Sequence, residues 1–400
     1  MSKTLLEVNK IYQKQHPSNY VNLSKKNIDN LINARKDLLI KLKLPIQLFR
    51  NSTLLDFGSG SGIYSLIYNL LGAKTDLVEY EKKFIDQSKK NFKQIAKKNT
   101  YKIYHSDIFK FKKKKKYDIV TFNGVAHHTQ NPNYILDKAC KFLSKNGIII
   151  YGIGNQSGFF QRAIQRAILF RLSKNKKELV ENAKILFSSH LKRAEKYGGR
   201  TIMEIIYDTY LNPKIDCQNT YTIYKIFKKN KIYLHSSYPS LESSEYFLTD
   251  SNNYKNFNFQ INKKKIDKKF FYSEHNWLLN YQYKILQKDK IKILEFEKIK
   301  NNLTKIINDK NFEKFNFDIN RFIKLSKLYS SKIDMQREVV EKTLNINEKK
   351  IFFNEIISLM DILSKKNCTV KDVKSFLNKN KLLFKGTSGI GMNYYVGCKF

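Results

Sequence analysis

The sequence is defined first by what it is short of. No window approaches the roughly 20 uncharged apolar residues that a bilayer demands, so no transmembrane helix is expected. The opening MSKTLLEVNKIYQKQ has neither an apolar core nor a small-residue cleavage site, which argues against a signal peptide. The four cysteines, Cys140, Cys217, Cys368 and Cys398, form no CxxC pair and have no histidine at metal spacing. No metal site is expected, and the sparse thiols fit a reduced, cytoplasmic setting. Acids are also scarce: 35 against 75 Lys plus Arg, for a net charge of +40. Arginine is scarcer still, with only nine in 400 residues, so that 66 of the 75 cations are lysine. Two readings of that excess stand side by side. One is a phosphate-binding surface; the other is compositional drift, since Lys, Asn and Ile are over-used together. Under the second, lysine says little and arginine is informative wherever it persists. What is present is enough apolar material, 42% of residues, to fill a sizeable core.

Around Ile28, Leu31, Ile32, Leu38, Leu39 and Leu42, apolar positions recur at three- and four-residue spacing, which predicts a helix ending before Pro45. The texture then changes. Short runs rich in Val, Ile and Leu at 53–57, 75–80, 101–107, 117–123 and 147–153 alternate with helical stretches, the pattern of βαβ units on a parallel sheet. After residue 155 come one or two helices, a loop at Gly198 and Gly199, and another helix around Met203–Asp208. KIYLHSSYP at 231–239 reads as a further strand, and Lys-rich helices run to about residue 380.

The most specific feature closes the first strand: Leu54-Leu55-Asp56-Phe57-Gly58-Ser59-Gly60-Ser61-Gly62. Glycine suits a sharp strand-to-helix turn where a ligand approaches the backbone, and a helix starting near Ser61 would offer free N–H groups to it. Glu79 lies 21 residues after Gly58, at the end of the next strand, where a carboxylate can take the hydroxyls of a ribose. Ile63 stands where a dinucleotide fingerprint wants a small residue, and no Lys-Ser or Lys-Thr follows as in a P-loop. An acidic pocket poor in phosphate ligands suits a ligand carrying positive charge.

With these residues in register, the chain over about 53–155 resembles the class I S-adenosylmethionine-dependent methyltransferases, in particular the branch that includes quinone-biosynthesis methyltransferases. The resemblance implies a doubly wound, Rossmann-like α/β fold with a seven-stranded sheet, and S-adenosylmethionine as cofactor. It assigns Asp56, Gly58, Ser59, Gly60 and Gly62 to the loop around the methionine part and Glu79 to the ribose. Ser106-Asp107-Ile108 matches the loop where the acid meets the adenine amino group and the apolar residue packs on its ring. A turn-capping role for Asp107 is the alternative. YDIVTFNGVAHHTQNP matches the fourth strand and its sequel, and LSKNG at 143–147 replaces the usual Leu-Lys-Pro-Gly-Gly.

Methyl transfer from a sulfonium is an in-line displacement, so alignment and exclusion of water do most of the work. If the acceptor must lose a proton, His127 and His128 are the candidate bases. Their occurrence across differing substrates in the resembling branch favours a positional role. Asn123 stands where it can contact cofactor or acceptor, and is carried as a third candidate catalytic residue. Five of the nine arginines, Arg162, Arg166, Arg171, Arg193 and Arg200, fall in 155–215, where the family inserts substrate-recognition elements. Arg162, Arg166 and Arg200 are the candidate substrate ligands, since a guanidinium fork suits carboxylate or phosphate. Arg162 and Arg166 share a helix face with Gln161 and Gln165, opposite Phe160, Ile164, Ala167 and Ile168. That face is read as solvated, as the wall of an anionic pocket, or as a basic helix lying on a membrane surface.

The expected organisation is an N-terminal helical segment over 1–50 and a methyltransferase domain over 51–245 with a substrate lid at 155–215. A Lys-rich helical region over 246–385 follows, inserted before the last strand or appended as a separate domain, and then a final strand within 386–400, preceded by the glycines Gly386, Gly389 and Gly391. The expected activity is methyl transfer to a small or lipid-like, anionic acceptor. RNA methylation, with the basic helices gripping the backbone, and a non-catalytic cofactor-binding module are the alternatives.

Overall fold

A computed structural model describes residues 24–239, apart from 98 and 199, together with 241, 346–385 and 392–400. The chain divides into two units, the first formed by 1–154, 216–266 and 392–400, the second by 155–215 and 267–391. Most of the Lys-rich region, the glycines at 386–391, Gly199 and residues 1–23 lie outside the described residues.

The first unit contains α1 (Lys25–Lys41), β1 (Thr53–Phe57), α2 (Ile63–Leu70), β2 (Lys74–Glu79), α3 (Lys82–Ile95), β3 (Tyr101–His105), β4 (Tyr117–Asn123), α4 (Pro132–Cys140) and β5 (Leu143–Gly154). It is completed by α9 (Thr220–Lys229), β6 (Ile232–Tyr238) and β7 (Met392–Lys399). The strands form one sheet in the order β3-β2-β1-β4-β5-β7-β6. The first five are parallel, while β7 runs antiparallel between β5 and β6. This is the Rossmann-like methyltransferase sheet. Central strands covered by helices on both faces are buried throughout, not alternating, and TLLDF follows this with Leu54, Leu55 and Phe57 buried and Asp56 as its one buried polar residue. Phe84, Ile85, Ser88, Asn91 and Phe92 recur at helical spacing on α3 and form its buried face. Leu39 and Leu42 from α1 and its end join Phe49, Leu54, Tyr68, Ile119, Ile150 and Val396 in a common core.

The strands read from the sequence stand within two residues of their observed bounds, except β5, which begins at Leu143 and not at 147. Leu143 pairs with Tyr117 before the register shifts to Ile119 and Ile148. Asn146 takes φ +60 inside this irregularity. Asparagine tolerates the left-handed region better than other non-glycine residues, which is how the chain dispenses with a glycine there. The helix expected near Ser61 starts two residues later, at Ile63, after Gly62 at φ +73.

The second unit contains α5 (Phe160–Leu172), α6 (Lys176–Leu186), α7 (Ser188–Gly198) and α8 (Ile202–Ile206), the last continued by a wider π turn over Tyr207–Leu211. It also includes α10 (Ile346–Ser364) and α11 (Val370–Lys379). Ile164, Ile168, Leu179, Leu191, Ile206, Tyr210, Leu359 and Leu383 lie in its core. Gly198 ends a helix instead of opening a loop. The solvated-face reading of α5 is overturned: Gln161 and Arg166 are each 2% exposed and Gln165 is 0% exposed. The same burial removes the reading of α5 as a helix lying on a membrane. The polar stripe is interior because its amides find partners there: Gln165 Oε1 accepts from Tyr210 at 2.9 Å and Gln161 Oε1 from Phe384 N at 3.0 Å.

Candidate functional site

The glycine loop joins β1 to α2 at the C-terminal edge of the parallel strands, where open α/β sheets bind ligands. Its path is pinned on both sides. Gly58 and Ser59 donate to Val78 O at 2.9 and 3.1 Å. From α3, Ser88 Oγ reaches Gly60 O at 3.2 Å and Asn91 Nδ2 reaches Ser61 O at 3.1 Å. Gly58 and Gly62 take φ of +90 and +73, and a Cβ on either would lie 2.8 Å from Val125 or 2.7 Å from Ser88 Oγ. No other residue fits these two positions without strain.

Glu79, at the end of β2, grips the same loop. One carboxylate oxygen accepts from Gly60 N at 2.8 Å; the other accepts from Tyr80 N at 2.8 Å and Glu81 N at 2.9 Å. Burial raises its pKa, and the backbone N–H groups of Glu81, Gly60 and Tyr80 pull it back. A carboxylate offers about four lone-pair positions, so the oxygen facing Gly60 retains capacity for a ligand hydroxyl.

Asp56 lies deeper. It accepts a short hydrogen bond from Ser65 Oγ and is 4% exposed, so its role is to tie β1 to α2 from beneath the loop. Burial raises its pKa; Ser65, Thr121 and the Arg35 charge oppose the rise. Arg35 on α1 is itself buried, 3.9 Å above the Tyr64 ring and 3.5 Å from Tyr68 Oη. Asp107 follows β3, and its Oδ1 accepts from Phe109 N at 2.8 Å. The turn-capping role is therefore present, and it uses one of the two oxygens. Ile108 beside it is buried.

Beyond β4, the Ala126–His128 turn brings the two histidine rings to 4.0 Å centroid separation. His127 O accepts from Asp216 N at 2.7 Å, anchoring the turn. Burial and the neighbouring His128 hold the His127 pKa well below its ordinary value, so this ring stays neutral and is a weak proton acceptor. Three buried polar groups around this edge have no hydrogen-bond partner: Ser59 Oγ, both amide atoms of Asn123, and His127 Nδ1. Asn123 stands two residues beyond Thr121, which pairs with Asp56. Orphaned polar atoms cost about 1–3 kcal/mol each unless a ligand or water satisfies them, so this edge has the character of a binding site.

Sequence reasoning missed Ser88, Asn91, Ser65, Thr121, Val125 and Arg35. Ser88 and Asn91 left a readable signal, as polar residues inside the apolar stripe of α3. The second unit places the candidate arginines differently from one another. Arg200 is paired with Asp208 at 2.9 Å, whereas Arg162 and Arg166 lie along α5, over Phe159 and Phe170 respectively. Among the described residues there is no cluster of His, Cys, Asp or Glu able to hold a metal ion, and no helix long and apolar enough to cross a membrane.

A family model described as a methyltransferase domain matches residues 48–296, more than half of the chain. The chain belongs to this family, the class I methyltransferases, whose cofactor is S-adenosylmethionine. It is similar to a ubiquinone biosynthesis O-methyltransferase of Pelagibacter ubique (strain HTCC1062), with 30% identity over 108 residues, 27% of this chain and 44% of that protein. The chain thus spans less than half the length of that relative. Among solved structures, PKMT2 from Rickettsia typhi in complex with AdoHcy aligns over 50% of this chain and 43% of its own, at 20% identity and a TM-score of 0.41. N-methyltransferase NodS from Bradyrhizobium japonicum WM9 with S-adenosyl-L-homocysteine aligns over 39% and 76%, at 13% identity and a TM-score of 0.30.

Proposed function

We propose that the protein transfers a methyl group from S-adenosylmethionine to a small or lipid-like anionic acceptor. The observation that carries the cofactor half is the Glu79 carboxylate closed on the Gly60 N–H, with the orphaned Ser59 and Asn123 groups at the same sheet edge. Bound there, S-adenosylmethionine supplies an electrophilic methyl group on a sulfonium. Glu79 takes a ribose hydroxyl, Asp107 through its second oxygen takes the adenine amino group, and Ile108 packs on the base. The loop Gly58, Ser59, Gly60 and Gly62 lies along the methionine part. Asp56 acts from below, holding β1 against α2. Asn123 satisfies its amide on cofactor or acceptor. His127, a neutral ring, and His128 shape the far wall, since placement supplies most of the acceleration.

The acceptor half is supported by the concentration of arginine in the second unit, in a chain that otherwise prefers lysine. Radiolabelled S-adenosylmethionine incubated with protein and separate lipid, metabolite and RNA extracts tests both halves. Label in an acidic lipid or metabolite fraction is the expected result. Label in RNA would overturn the acceptor assignment, and no transfer to any fraction would overturn catalysis.

A further inference from the structure

We propose that Tyr394, on the last strand, is a positioning residue for Asn123, holding its amide where it meets the bound cofactor. Asn123 on β4, Gly152 on β5 and Tyr394 on β7 stand in one row across the sheet, so they share a face. Gly152 lies inside a strand, and what it supplies there is space. A Cβ built on it would lie 2.8 Å from Asn123 Oδ1 and 2.8 Å from Tyr394 Cε1. The two side chains therefore meet over the missing one. The Asn123 backbone is fixed at the same point, because the next residue, Gly124, donates its N–H to Gly152 O at 2.8 Å. Only the side-chain torsions remain free, and the ring limits them. Its edge carries a weak positive charge and suits the amide oxygen. Tyr394 is kept from swinging aside, since with Tyr64 it packs against the core that contains Leu39 and Tyr68. Neither amide atom of Asn123 has a hydrogen-bond partner, so the held group keeps both for a ligand. Two residues on, Val125 lies against Gly58, whose Cβ would meet it at 2.8 Å. The end of β4 thus abuts the glycine loop, and the ligand within its reach is the one that loop holds.

This rests on the reading of Asn123 as a ligand contact and commits that contact to the cofactor. Calorimetry of S-adenosylhomocysteine binding to the full chain tests it with no methyl transfer involved. Asn123→Ala is expected to weaken binding about tenfold, the effect of one hydrogen bond. Tyr394→Phe keeps the ring edge and is expected to bind as wild type does. Tyr394→Leu frees the amide and is expected to weaken binding about three- to tenfold, with no further loss when it is added to Asn123→Ala. A ring that merely supported the fold would instead add its own loss in that double variant. Gly152→Ala, which enters the contact from beneath, is expected to reproduce Tyr394→Leu and takes its place where the latter fails to fold. Full affinity in Asn123→Ala would overturn the contact itself. Weakened binding in Asn123→Ala beside full affinity in folded Tyr394→Leu, or in Gly152→Ala in its place, would leave the contact standing and overturn the positioning role. Additive losses, or a loss in Tyr394→Phe equal to that in Tyr394→Leu, would do the same.

Discussion

The Glu79 carboxylate accepts the Gly60 N–H at 2.8 Å, joining the end of the second strand to the turn that follows the first. One acidic side chain thus sets the shape of the glycine loop before any ligand arrives. Glu79→Ala is expected to lower S-adenosylmethionine affinity at least about tenfold, because a charged acceptor shared by three backbone donors is worth about 1.5–3 kcal/mol per bond. Calorimetry on wild type and variant checks this, and unchanged affinity would sink the role given to the carboxylate.

Gly62→Ala sets a Cβ 2.7 Å from Ser88 Oγ at a backbone φ of +73. A loss of about 1–3 kcal/mol is expected from the left-handed conformation. Denaturant melts of the two proteins measure it, and equal midpoints would show that the turn relaxes.

Arg35→Gln removes a guanidinium held over Tyr64 and close to Tyr68. The expected destabilisation is about 2–3 kcal/mol, from the lost cation–π contact and the polar partners left buried. Arg35→Lys is not expected to restore it, since an ammonium cannot lie flat on the ring.

His190 is held neutral, with its pKa near 3 instead of the ordinary 6.5. The unfolded chain takes the proton first, so this contribution to stability is complete above 6.5 and is lost as pH falls from there toward 3. Asp137 adds a second loss at lower pH. Burial works against its charge, but Asn230, Lys141 and Lys229 outweigh burial and hold it at about 2 against an ordinary 3.8. His190→Gln is expected to flatten the fall in stability between 6.5 and about 3 and to leave the Asp137 loss below about 3 unchanged. An identical profile in the variant would contradict the neutral-histidine assignment.

β7 pairs with β5 on one side and β6 on the other, so the last residues of the chain fill the interior of the sheet. Truncation before Met392 is expected to abolish cooperative unfolding of the first unit, since both neighbours lose their backbone partners together. A truncated protein that retained a sharp melt would show that the sheet does not depend on this strand.

The sequence by itself determined the βαβ alternation, the position of the glycine loop and the acids after the second and third strands. These are legible because buried parallel strands must be continuous apolar runs and tight turns must be glycine, whatever packs around them. Charge was a poorer guide: +40 pointed outward to a partner and said nothing of where any one cation lies. Only the tertiary structure showed that the polar stripe of α5 is interior, because an amphipathic period marks a distinct face without saying what covers it. It alone placed Asp56 beneath the loop, with Ser65 and Arg35, and brought Ser88 and Asn91 to the loop carbonyls. Those contacts join residues that local spacing leaves unrelated, and they arise only when the helices close on the sheet and buried polar groups must find partners.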